Sequence, residues 1–173
     1  MIPASEKDTL YEALAEAFEA FISMISQFDE SVVNTAPFTG SWTPAQVVTH
    51  ILLATDGLPD SKITPTNRVY DSCLPQIRPW WEDWNQKFQS PESLEPDSLP
   101  HEKSELITEL KRVKDKDLAI VREKDLTIIC QDFELPGVGY LTRYEWLWFI
   151  QMHLKRHKSQ LENMVNRSLE AGR

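Results

Sequence analysis

Apolar residues return every three or four positions in four stretches of the chain, and in one long stretch they do not. From Ser5 to Gln27, Leu10, Leu14, Phe18, Phe21, Ile22 and Ile25 fall on one helical face. A second run follows Thr43. Pro44 suits a first helical position there, and Gln46 completes a T-x-x-Q capping box. Val47, His50, Ile51 and Ala54 share one side of this run, which Gly57 and Pro59 bring to a close. From Lys103 to Lys124, Leu106, Leu110, Val113 and Val121 point inward. The last run opens at Thr142, where Glu145 makes a T-x-x-E box, and continues to about Ser168. Its stripe, Trp146, Ile150, His153, His157, Leu161 and Met164, advances by threes and fours.

Residues 58–100 break the pattern. Seven of the 11 prolines fall there, which predicts an irregular crossover. One short helix is expected in "PWWEDWNQKF", where Trp81, Trp84 and Phe88 have helical spacing. So many aromatics argue for packing against the body, either as a cover on the core or as the wall of a pocket or dimer contact. "LTIICQDFELPGVGYL" mixes β-branched residues with a Pro-Gly turn and predicts an extended connection or a small hairpin. The pattern as a whole predicts one all-α domain over 1–173, an up-and-down four-helix bundle with a long crossover in its middle.

Composition narrows the function classes. The 173 residues are 41% hydrophobic and 26% charged, as in an ordinary globular protein. No apolar run approaches the ~20 residues that span a bilayer, and the N-terminus does not resemble a signal peptide, so the cytoplasm is the expected compartment. A net charge of −9 argues against nucleic acid or an anionic membrane as partner. Cys73 and Cys130 are then expected as free thiols. No G-x-S-x-G elbow, Walker A run or G-x-G-x-x-G loop is present.

The histidines carry the candidate chemistry. Of four, His50, His153 and His157 replace apolar residues in inward stripes of two helices, whereas His101 follows Pro100 in polar surroundings and is expected to be exposed. A buried imidazole without partners costs ~1–3 kcal/mol. Three together are hard to satisfy among apolar neighbours, and a divalent metal satisfies one nitrogen of each. The i, i+4 pair puts two rings on one face, and a third from another helix leaves coordination positions open, as in catalytic sites. The plainer alternative is a set of core histidines held by hydrogen bonds.

"SWTPAQVVTHIL" and "HLKRHKSQLENM" resemble, respectively, the second-helix start and the terminal H-x-x-x-H of the DinB/YfiT-like family, a family distinct from the DNA polymerase that shares the DinB name. Length and the middle excursion fit as well. The resemblance implies a bundle of DinB type, with nickel, zinc or iron held by His50, His153 and His157. It also implies a homodimer and, in some members, thiol-transfer chemistry with a low-molecular-weight thiol. The expected function is a metal-dependent thiol S-transferase or hydrolase acting on an unidentified small molecule, its catalytic residues beyond the triad unassigned. Trp42, Trp81 and Trp84 are candidate pocket walls, and Glu145 and Gln160 candidate supporting groups. The rival is a non-catalytic bundle that binds a small ligand or a partner protein.

Overall fold

The computed structural model describes residues 1–171, with side chains to residue 167. Its long helices are α1 (Ala4–Ser26), α2 (Pro44–Thr55), α4 (Lys103–Glu123) and α5 (Arg143–Ala171). The crossover between α2 and α4 carries β1 (Ile63–Thr64), the short α3 (Leu74–Trp81) and one 3₁₀ turn (Glu92–Leu94). Among the described residues no helix is long and apolar enough to cross a membrane.

The expected four-helix bundle is present. α1 packs on α4 and α5, and α2 packs on the same two helices, so α1 and α2 lie across the bundle from each other. The α2 capping box forms as anticipated: the Gln46 amide donates to Thr43 Oγ1, and Gln46 Oε1 accepts from the Thr43 amide. Thr43→Ala should cost ~1 kcal/mol in urea unfolding, and an unchanged midpoint would show the cap to be dispensable. α5 opens with the matching box between Thr142 and Glu145.

The short helix lies earlier than its aromatic spacing suggested. It runs over Leu74–Trp81 and not over residues 79–88. Leu74 and Ile77 supply its buried face, and Asp83 stops it: the Asp83 side chain captures the Asn85 amide, offering the backbone a turn in place of another helical bond. Trp84 therefore sits outside the helix and is 59% exposed.

α5 is the central rod. From residue 141 to 154 every side chain is buried except Phe149, which is half-buried. Two apolar clusters share it. Leu147, Ile150, Leu154, Leu161 and Met164 join the bundle core. Trp146 and Met152 instead join Ile77, Cys130, Leu135 and Leu141 beneath the crossover. Trp146 thus departs from the stripe predicted for it, because a helix covered on both sides has two inward faces. The "LTIICQDF" segment supplies β2 (Ile129–Cys130), which pairs antiparallel with β1, while Leu135 and Gly139 close a tight turn. Gly137 and Gly139 take φ of 78° and 105° there, a region that favours glycine.

One buried position breaks the pattern. Asp117 continues the α4 stripe of Leu110, Val113 and Val121, is 0% exposed, and neither carboxylate oxygen has a hydrogen-bond partner among the described residues.

Candidate metal centre

His50 comes from the middle of α2, and His153 and His157 from successive turns of α5. The capping box sets where α2 begins and hence where His50 points. The burial of α5 on both sides places His153 at the seam between the two apolar clusters. His50 is 3% exposed and His153 5%, while His157 is half-buried.

The three rings converge. Ring centroids are 5.1 Å apart for His50–His153, and 4.7 Å for both His50–His157 and His153–His157. One nitrogen from each ring lies within 4.8 Å of the others. The opposite edges of two rings are already committed. His50 Nδ1 is 2.8 Å from the Leu94 carbonyl, an acceptor only, so that nitrogen carries the proton and Nε2 holds the lone pair. His157 Nδ1 is 2.7 Å from Gln160 Oε1, which directs its Nε2 the same way. His153 Nδ1 has no hydrogen-bond partner among the described residues, leaving its tautomer free, and His153 Nε2 is 3.1 Å from His50 Nε2.

Electrostatics agree with this donor set. Burial lowers the His50 pKa, opposed by the Leu94 carbonyl. Burial, and then the neighbouring His157 and His50, hold His153 well below the usual imidazole range. His157 falls to about 4, through burial and then His50, against the hydrogen bond it donates to Gln160 Oε1. All three rings are thus neutral near pH 7, the form that ligates metal. A single proton can bridge only one pair of the inward lone pairs. A cation satisfies them together, and a tetrahedral ion with bonds of ~2.0–2.1 Å spaces its nitrogen ligands by about 3.3 Å. The residues fit a divalent metal.

The remaining sequence candidates separate. Trp42 packs on His50 with ring centroids 5.1 Å apart. Trp81 meets His153 edge-on at 5.5 Å and stacks on Phe88 at 4.3 Å. Trp84 makes no ring contact with the histidines. It lines, with Trp81, Glu82, Met152 and Lys155, a groove of about 340 Å³. Gln160 is the acceptor that orients His157. Glu145 is occupied elsewhere: Oε1 accepts from the Cys73 amide at 2.7 Å, and Oε2 accepts from Arg68 Nη2 at 2.6 Å and from the Thr142 amide at 2.8 Å. That pinned carboxylate fastens the crossover to α5.

His101 also departs from expectation. Its side chain is only 26% exposed, because Nε2 pairs with Asp97 Oδ1 at 3.0 Å and its backbone is bound on both sides by Asn34. Both cysteines are free thiols. Burial pushes the Cys130 thiol up to about 12, and burial followed by Glu145 raises that of Cys73.

Sequence reasoning missed the Leu94 carbonyl, Phe149 and Arg156. A backbone acceptor leaves no mark in side-chain patterning. Arg156 stood in plain view between the two histidines, yet nothing local showed what it would reach. Phe149 fell between the two apolar faces of α5 and packs 5.8 Å from His153.

Comparison with known proteins supplies the family. A search of the curated proteins finds no match. Among solved structures, the chain is similar to one reported as "YfiT from Bacillus subtilis is a probable metal-dependent hydrolase with an unusual four-helix bundle topology". That likeness has a TM-score of 0.60 at 16% identity, and covers 96% of this chain and 90% of that one; it bears on the fold alone. The family model for the DinB superfamily matches residues 11–161. That span includes all four long helices in whole or large part and all three converging histidines, and the chain belongs to the DinB superfamily.

Proposed function

We propose that this protein holds one divalent cation on His50, His153 and His157 and is an enzyme that uses it to activate a small nucleophile, as a hydrolase or a thiol transferase. The observation that carries the reading is the convergence of three neutral ring nitrogens, two of them aimed by outer hydrogen bonds to Leu94 and Gln160. Such bonds on the far ring edge are the usual means of orienting ligating histidines. The likeness to the B. subtilis protein, whose report names a metal-dependent hydrolase, supports the same class.

A bound divalent cation would supply a water or thiol ionised near neutral pH. The chain's own residues do the rest. Leu94 and Gln160 hold the imidazole tautomers. Trp42 packs on His50, and Trp81 and Phe149 pack on His153, which keeps bulk water from those two rings and would strengthen their interaction with a bound cation.

Protein purified without an affinity tag should carry close to one equivalent of metal. His153→Ala should weaken affinity by at least ~100-fold, more than loss of a supporting residue costs. Turnover in a screen of esters, amides and low-molecular-weight thiols should follow occupancy. An unmodified protein with no metal above background, unchanged in His153→Ala, would sink the reading.

A further inference from the structure

The histidines are roofed, and the roof is held by very little. Residues 82–100 cross the crossover's second half without contributing one buried side chain. The hydrophobic effect therefore fastens this segment only weakly, through half-buried Phe88 stacked on Trp81 and half-buried Leu94, and a few polar contacts supply the rest. At its start, Arg156 Nη1 donates to the carbonyls of Trp81 at 3.0 Å and Asp83 at 3.2 Å, and Nη2 donates to the Gln86 carbonyl. The same guanidinium lies 4.7 Å from the centre of the Phe88 ring. Further on, Leu94 accepts from His50 Nδ1, with Ser90 Oγ 3.5 Å from that nitrogen, and the Asp97 carbonyl accepts from Gln46 Nε2 at 3.0 Å.

Segments with few buried apolar contacts open at low free energy. This one meets His50 directly, through Leu94 and Ser90, and continues from Trp81, which lies edge-on against His153; the two imidazoles are 3% and 5% exposed, so a reactant reaches them when the segment moves. We infer that residues 82–97 are a gate over the histidine cluster and that Arg156 is the positioning residue that latches it. Arg156 suits the task because it sits on α5 between His153 and His157, on the rigid rod that carries two of the rings. Its planar fork reaches several carbonyls at once, which a lysine ammonium on a flexible stem does not reproduce. The His50–Leu94 bond is the second fastening. A cation on the far edge of the His50 ring strengthens that ring as a donor, so occupancy of the site favours the closed gate. The gate's purpose rests on the metal reading above; its mechanics do not.

The test is metal exchange rather than activity. Co²⁺ uptake, followed by its visible absorption, and release into excess EDTA are timed for the parent, Arg156→Ala and Arg156→Lys, with amide hydrogen exchange on the same samples. Arg156→Ala should speed uptake and release alike by roughly tenfold while the equilibrium affinity changes less than about threefold. Amides of 83–97 should exchange faster, and those of α1 and α4 should not. Arg156→Lys should recover part of the difference. A merely structural role would lower overall stability and leave both rates unmoved. Phe88→Ala attacks the latch from the crossover side and should give the same signature, which covers the case in which Arg156→Ala fails to fold. Unchanged rates in both variants, or unchanged exchange of 83–97, would overturn the gate. If the parent takes up no Co²⁺, the metal reading falls, and amide exchange alone still decides the latch.

Discussion

Asp117→Asn should be more stable than the parent at neutral pH, by a margin that grows by ~1.4 kcal/mol per pH unit between pH 5 and pH 7. The reason is the carboxyl's position. Asp117 lies in the α4 stripe at 0% exposure, with both oxygens unpaired among the described residues, and burial pushes its pKa up to about 8; Lys116 lowers it and Asp56 raises it. In the unfolded chain an aspartate titrates near ~3.9. Between these values the native state keeps a proton that the unfolded state has released, so stability falls as pH rises through the window and levels off above about 8. At pH 7 this destabilises the parent by on the order of 4 kcal/mol relative to a fully protonated reference. Asparagine keeps the shape and removes the proton. It retains the cost of a buried amide, but that cost is independent of pH, and comparison with the parent cancels the other carboxylates, including Asp56, which Arg112 and Lys116 hold at about 2. Urea unfolding of both proteins from pH 5 to pH 9 measures the difference. Parallel curves would show that Asp117 is hydrated or paired in solution.

Glu145→Ala should cost ~3–5 kcal/mol, the range for breaking a buried ion pair by removing one member. Glu145 is 0% exposed and receives Arg68 Nη2, the Cys73 amide and the Thr142 amide. Without it, Arg68 loses its counter-charge, α5 loses one of the two bonds of its capping box, and the loop leading into α3 is cut from the rod it packs on. Glu145→Gln keeps the shape and an acceptor but not the charge, and should lose about half as much. Equilibrium unfolding at pH 7 decides: a loss below ~1 kcal/mol for the alanine variant would make this carboxylate a bystander.

These two acids show where sequence reading succeeds and stops. Glu145 was legible as the N3 partner of Thr142, since a capping box is a local motif of fixed spacing. Its bonds to Arg68 and Cys73, more than 70 positions away along the chain, were not. Asp117 sat in a helical stripe beside charged Lys114, Asp115 and Lys116, and polar context hid its burial. The short α3 was misplaced for a related reason. Trp81, Trp84 and Phe88 have helical spacing, but the Asp83 side chain diverted the backbone, and tertiary contacts of Leu74 and Ile77 drew the helix toward the N-terminus.

Amphipathic period, caps and prolines alone determined four long helices, a long crossover and the inward direction of His50, His153 and His157, because each depends on residues within a few positions of one another. Only the tertiary structure decided that the three rings meet, that Leu94 and Gln160 aim two of them, and that Arg156 ties down the roof. Those are contacts between segments far apart in the chain, and a backbone carbonyl such as that of Leu94 offers any residue type the same acceptor. Periodicity sets a side chain's face, while packing sets what it finds there.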